Sequence, residues 1–346
     1  MRKKDKRMAA LTRRQFIGTS ATIAAGIAAS PVIGSPAIIR NWNKPYADIN
    51  GVRIGAITYS FRSMEDQSAE ATLKYIKDCG ISEVELMGGP AESFAGKPES
   101  PFDYRTIREA MRPPKKGEEL TDGQKEIRDR VAAYNKEVAE WRGSVSMGKF
   151  EQMKKMYKDA GVSVYAFKPR TFGQNNSDEE IDYGFRAAKA LGASHVTLEL
   201  PEDSTHSQRL GNFAARHKLY VAYHGHEQQT PTAWDTALNQ SEYNAMNLDL
   251  GHYVAAGNPS PFDLINAKSN RIKSMHIKDR QTPANGKGNL PWGEGDTPIV
   301  EVLRLMQFKK YKFPATIELE YQIPDGSDAV KEVAKCLEYC RKALAD

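Results

Sequence analysis

Cysteine is scarce in this chain of 346 residues, which has three. Cys79, Cys336 and Cys340 make an odd count without metal-type spacing, and this excludes a disulfide framework or a zinc ribbon. Cys336 and Cys340 stand four apart on an expected helix and share one face. They are read as core residues, with a disulfide as the alternative. Beyond residue 37 there is no apolar run of about 18 residues, the length that spans a bilayer. A surplus of positive charge is missing too. The formal charge is +5, but residues 1–37 carry seven Lys/Arg and one Asp, a net +6, so the remainder is −1. Such a remainder offers no clustered basic surface for nucleic acid. No G-x-G-x-x-G follows the first expected strand, which argues against a dinucleotide fold. Internal repeats and low-complexity tracts are absent as well.

What is present begins with an export pattern. MRKKDKRMAALTRR is followed by the weakly apolar FIGTSATIAAGIAASPVIG, and SPA occupies 35–37. Basic, apolar and small-residue regions in that order form the plan of a secretory signal. TRRQFIG (Thr12 to Gly18) resembles the twin-arginine signature, with Arg13 and Arg14 paired and Phe16 following. That resemblance implies export of an already folded protein to the periplasm or another extracytoplasmic space, with the twin-arginine machinery as a partner. An ordinary signal or an uncleaved anchor is the alternative. Once the signal is removed, no stable membrane contact is expected.

Residues 38–50 read as a linker. After them, apolar β-rich segments alternate with amphipathic ones. The expected strands are 52–60, 81–88, 161–168, 194–200, 219–225, 245–252, 271–279 and 313–321. Helical spacing of apolar residues marks 68–80, 179–192 and 328–344, the first two closing on Gly. Strand–helix alternation points to a parallel sheet. Eight repeats over residues 51–346 fit an α/β chain folded as a (β/α)₈ TIM barrel. A doubly wound open sheet is the second choice. The charged stretch at about 112–146 departs from the pattern. It is read as a helical insertion near the rim, with 121–142 as the helix. A plain solvated helix is the simplest reading, and a substrate lid or a contact in a homo-oligomer are the alternatives.

Barrel enzymes carry their chemistry at the C-terminal ends of the strands. The last polar residues of the expected strands are Glu85; Glu199; His224 and His226; Asp249 and His252; His276 and Lys278; and Glu318 and Glu320. Period two puts His224 with His226, His276 with Lys278 and Glu318 with Glu320 on shared faces. Taken singly, each is more simply a solvated cap or a satisfied structural residue. Together they would bury many ionisable groups in one place, which is costly unless something pairs them. A divalent cation does so, and mixed His and carboxylate donors suit Mn²⁺, Zn²⁺, Fe²⁺ or Co²⁺ better than Ca²⁺.

D-x-G-H (Asp249 to His252), H-I-K-D (His276 to Asp279) and G-E-G-D-x-P-I (Gly293 to Ile299) resemble motifs of the xylose isomerase-like barrel group. That group includes sugar-phosphate isomerases and epimerases, sugar and inosose dehydratases, and endonuclease IV. YHGH, DLGH, HIKDR and IELEYQIPD bring the chain nearest to the inosose dehydratase branch. The resemblance covers residues 52 to about 344. It implies one divalent metal, Mn or Zn favoured over Co or Fe, held by Glu, Asp, His and Glu from the later strands. Asp249, His276 and Glu318 match that set. His224 stands where the first Glu is common, so either His224 ligates or Glu199 completes the set.

The chemistry implied is proton abstraction beside a carbonyl. Return of the proton elsewhere isomerises or epimerises a sugar, and loss of a β-leaving group makes the enzyme a lyase or dehydratase. Glu199, His226, His252 and Glu320 are the acid–base candidates. Lys278 is the candidate for an oxyanion or hydroxyl contact, with a surface lysine as the alternative. Glu85 and Trp292 are the substrate-binding candidates; for Trp292 a packing role is equally consistent. A small-molecule sugar is the expected partner, and export favours a free, oxidised or glycosidic sugar over a phosphorylated one. The competing classes are a noncatalytic sugar-binding barrel and an endonuclease, and the near-neutral charge disfavours the latter.

Overall fold

The computed structural model describes residues 48–115 and 119–345. The expected signal at 1–37 lies outside the described residues, as does the expected linker except for residues 48–50.

Eight strands run in parallel: β1 (Val52–Ile57), β2 (Glu83–Met87), β3 (Ser163–Lys168), β4 (His195–Glu199), β5 (Tyr220–His224), β6 (Asn244–Asp249), β7 (Ile272–Ile277) and β8 (Ala315–Ile317). Each pairs with the next, and β8 returns to β1, so the sheet closes into a barrel. The helices between them are α1 (Ala69–Asp78), α2 (Gly88–Phe94), α3 (Tyr104–Ala110), α4 (Asp122–Ser144), α5 (Gly148–Asp159), α6 (Asp178–Leu191), α7 (Ser204–His217), α8 (Asp235–Gln240), α9 (Leu250–Ala255), α10 (Pro261–Lys268), α11 (Ile299–Lys309) and α12 (Ala329–Leu344). The fold is the TIM barrel expected from the alternation. Local chemistry sets the ends of several helices: Ser68 caps α1, a Ser177–Glu180 capping box opens α6, and left-handed Gly192 closes it.

Period-two alternation sorts side chains between the layers. Val196, Met246, Leu248, Met275 and Ile277 join the hydrophobic core. Their neighbours turn the other way and bond across the barrel. Tyr165 on β3 meets Thr316 on β8 at 2.7 Å, and His195 Nε2 on β4 meets Ser274 Oγ on β7 at 3.0 Å. The barrel interior is therefore largely polar and paired. Cys79, Cys336 and Cys340 are buried free thiols, as expected of core residues.

Three expected strands end early, and the first, 52–60, stops at Ile57, where a 3₁₀ turn over Thr58–Phe61 takes over. The segment 245–252 stops being a strand at Asp249, whose carboxylate accepts the backbone N–H of His252 at 2.6 Å and caps α9. His252 thus sits on a helix. Beyond Glu318 side chains replace the ladder: Ser60 Oγ accepts from Leu319 N at 3.0 Å, and Arg62 donates to Leu319 O at 2.7 Å.

The insertion is more firmly seated than a solvated helix. A Thr121–Gln124 capping box opens α4, and Val131, Val138 and Arg142 are buried. The Arg142 guanidinium donates to Glu92 at 3.0 and 3.1 Å and to Glu180 at 2.8 Å.

Candidate metal centre

The ring geometry collects residues far apart in sequence. His224 ends β5, Asp249 ends β6, His276 lies on β7, and Glu318 follows β8. Asp249 and His276 stand abreast in the β6–β7 register, and Glu318 N extends the ladder by donating to Ile277 O at 3.1 Å. All four side chains are buried, and one donor atom from each lies within 4.8 Å of every other. This is the set expected from the sequence, and it includes His224. Glu199 lies outside it, 47 % exposed, with Oε1 on Lys168 at 2.9 Å and Oε2 3.3 Å from His226 Nδ1.

Charge shapes the group. Lys278 Nζ lies 3.0 Å from Asp249, 2.7 Å from Glu318 and 2.8 Å from Glu320. Burial would pull this ammonium down, but the three carboxylates hold it above its ordinary value. Burial also opposes charge on His276; Glu85 and Glu318 on either side outweigh it and push the imidazole up to about 10. Asp249 is pushed up to about 7, first by burial and then by Glu318, with Lys278 pulling the other way. His224 is driven well down by burial and by the cations Lys168 and His276, so it is neutral. Its Nδ1 is buried with no hydrogen-bond partner, and Asp249 Oδ2 also lacks an aligned donor, although the Lys278 ammonium is near. Orphaned buried nitrogen and oxygen atoms, two neutral or deprotonatable imidazoles and two carboxylates fit a divalent transition-metal ion.

A second grouping, His224, His226 and His252, also has donor atoms within 4.8 Å of one another. It fits a cation less well. Arg280 Nη1 donates to His252 Nδ1 at 2.6 Å, and a guanidinium only donates. His252 therefore keeps its neutral proton on Nε2, 3.9 Å from Glu320, and has no lone pair left there. Burial, with the charges of Lys278, His226 and Arg280, pushes His252 down to about 2.

The remaining candidates form an arc beside the four donors. His226, 51 % exposed, has its ring centroid 4.9 Å from that of His224 and 4.6 Å from that of His252. His224, His226, Glu199, Glu318 and Glu320 line a cavity of about 850 Å³. Two of the candidates are placed elsewhere. Glu85 does not reach this cavity: it is 0 % exposed and lies beneath His276, because β2 ends at Met87 and places it in the barrel interior. Trp292 is not part of the cavity wall either; its ring packs edge-on against Tyr339, with centroids 5.8 Å apart. Lys168 was missed. It ends β3 and lines the cavity, with its ammonium held above its ordinary value by Glu199, Glu85 and Glu318 against the effect of burial. The rule that picked out the other strand ends applies equally to the Lys of YAFK.

The H-I-K-D and G-E-G-D motifs meet one step away. Asp279 accepts from the backbone N–H groups of Gly293, Gly295 and Thr297 at 2.7, 2.9 and 3.1 Å. A Cβ on Gly295 would stand 2.2 Å from Asp279 Oδ1, so the second Gly of that motif serves a close approach. A Cβ on Gly251 would stand 2.4 Å from Lys278 Cγ, which is why D-x-G-H needs its Gly.

Residues 121–340 match the xylose isomerase-like TIM barrel family. No protein of the curated set matches the sequence. Among solved structures, a sugar phosphate isomerase/epimerase from Parabacteroides distasonis is similar at 17 % identity and TM-score 0.52, covering 84 % of this chain and 93 % of that one. The probable 3-DHS dehydratase AsbF of Bacillus anthracis is similar at 14 % identity and TM-score 0.55, covering 82 % and 98 %. The IOLI protein, solved with a bound zinc atom, is similar at 14 % identity and TM-score 0.52, covering 83 % and 97 %. At these identities the likeness is one of fold.

Proposed function

The chain belongs to the xylose isomerase-like TIM barrel family, and from that premise we propose that it is a metal-dependent sugar isomerase or epimerase. The observation that carries the reading is the convergence of His224, Asp249, His276 and Glu318 from four consecutive strands, with donor atoms within 4.8 Å. A divalent ion in that set, Mn²⁺ or Zn²⁺ foremost, supplies a Lewis acid that makes the C–H beside a carbonyl easier to ionise.

The chain's own groups account for the rest. Glu199 and His226, exposed at the cavity, take the proton. His252, neutral with its hydrogen on Nε2, offers a hydrogen bond to the substrate oxygen. The Lys278 ammonium steadies negative charge as it builds on the substrate oxygen. Proton return on the neighbouring carbon completes isomerisation through the substrate's enediolate. The substrate is a free, oxidised or glycosidic sugar met outside the cytoplasm, after export of the folded protein by the twin-arginine route.

A lyase or dehydratase acting on a keto-sugar or 3-keto-glycoside is the second reading. It is favoured by the separation of a base pair, Glu199 and His226, from a hydrogen-bond donor, His252, because elimination needs a base and a separate group to steady the departing oxygen.

The test is metal content by mass spectrometry on protein purified without chelator. About one transition metal per chain, following the one-ion stoichiometry of a four-donor site, is expected in the wild type. Asp249→Ala and His276→Ala should lose it, and activity with it, while staying folded. No metal in the wild type, with none taken up from added Mn²⁺, Co²⁺ or Zn²⁺, would sink the proposal in favour of a sugar-binding barrel.

A further inference from the structure

Glu85 is a buried carboxylate that the reaction above does not use. Three donors converge on it from three other strands. His276 Nε2 on β7 approaches Oε2 at 2.8 Å, and Thr197 Oγ1 on β4 donates to Oε1 at 2.6 Å. Asn247 Nδ2 on β6 lies 3.4 and 3.5 Å from its two oxygens. A barrel interior is ordinarily filled with branched apolar side chains, and burying a charge costs several kcal/mol unless it is closely paired. A carboxylate at this depth is explained by what it does to the ring above it.

That ring has two distinct ends. His276 Nε2 lies 2.8 Å from Glu85 Oε2, with Asn247 Nδ2 3.1 Å away on the same side, whereas Nδ1 lies 3.0 Å from Glu318 Oε2 and 3.9 Å from Asp249 Oδ2. An ionised carboxylate can only accept, so in the free protein both nitrogens keep their hydrogens, Nε2 for Glu85 and Nδ1 for Glu318. The end free to give up its hydrogen and become a ligand is Nδ1, which faces Glu318 and Asp249. We propose that Glu85 is a positioning residue that fixes His276 in the Nε2–H tautomer, so that this histidine ligates through Nδ1. The inference rests on the metal reading above and deepens it. Without Glu85 the ring can place its hydrogen on Nδ1 and give it to Glu318, which leaves the centre one donor short. Thr197 is the second member of the device, because its hydroxyl aims the carboxylate.

The test is Zn²⁺ affinity of the purified chain, measured by competition with a chromophoric chelator, for wild type, Glu85→Gln, Thr197→Val and Asp249→Ala. Removing an outer partner of a ligating histidine typically weakens metal binding by about 10–100-fold, and Glu85→Gln should fall in that range. Thr197→Val should fall between Glu85→Gln and wild type, and it decides the matter if Glu85→Gln does not fold. On ¹⁵N-histidine-labelled protein loaded with ¹¹³Cd²⁺, the cadmium coupling of the signal missing in His276→Ala should lie on Nδ1, with a proton on Nε2. Coupling through Nε2, or equal Zn²⁺ affinity in wild type and the two variants, overturns the role of Glu85 and leaves the metal reading standing. Failure of the wild type itself to bind Zn²⁺, indistinguishable from Asp249→Ala, overturns both.

Discussion

Lys278 shows how much one side chain can decide. Its ammonium bridges Asp249, Glu318 and Glu320, three carboxylates that would otherwise repel one another inside the barrel. Removing it takes a charge from the reaction and leaves these carboxylates uncompensated. Lys278→Met should therefore cut kcat/KM by roughly 100-fold, the lower range for losing one charge-stabilising donor, and lower the unfolding midpoint as well, as an uncompensated buried charge does. Steady-state kinetics beside denaturant melts checks this, and an unchanged kcat/KM would return Lys278 to a structural role. At this scale the sequence was informative where period two operates. His276 with Lys278 and Glu318 with Glu320 share a face as the alternation implied. It was misleading where depth matters, because nothing in VELMGG says that Glu85 stops a layer below the cavity. Depth is set by barrel register, and register depends on all eight strands at once.

Among elements, α4 carries the clearest expectation. Its charged face suggests a helix lying loose on the surface, yet Arg142 ties it to Glu92 on α2 and Glu180 on α6. Breaking a buried pair from one side leaves an uncompensated charge and costs about 3–5 kcal/mol. Arg142→Ala should lower the unfolding free energy by that order. It should also speed proteolysis within 112–146 while sparing kcat/KM, since the residue itself does not line the cavity. Urea titration with limited trypsinolysis measures both, and a loss under about 1 kcal/mol, the worth of an exposed pair, would restore the solvated-helix reading. The strands were legible as apolar runs with polar ends, and most boundaries fell within two residues. The exceptions have local causes: a 3₁₀ turn takes over at Thr58, the Asp249 side chain starts α9 three residues before the expected strand ends, and Ser60 and Arg62 capture the backbone of Leu319. Such captures depend on side chains remote in sequence, which periodicity does not reveal.

For the whole molecule, a polar barrel interior makes stability depend on pH. His195 is buried between Ser194 and Ser274, and burial pushes it down to about 4 from an ordinary 6.5. The unfolded chain therefore binds this proton more readily than the folded one. The contribution of neutral His195 is complete above pH 6.5 and is lost as pH falls from 6.5 to 4, by up to about 3 kcal/mol from the linkage relation. In His195→Gln the stability difference between pH 7.5 and 4.5 should shrink by most of that amount; equal slopes in wild type and variant would rule His195 out as the source. The ring also explains why the site could be sketched from sequence but not completed. Its four donors come from the last four strands, in motifs that sit together in the chain, whereas Lys168 and Glu85 reach it from β3 and β2. One further property follows from Asp249, whose Oδ1 starts α9 while Oδ2 faces the centre. A chain in which α9 has not yet coiled has neither an aimed Oδ2 nor a placed His252. Loading therefore cannot run ahead of folding. Under the export route proposed above, which accepts only finished cargo, an occupied centre would act as a seal of inspection: the ion certifies that the ring behind it has closed.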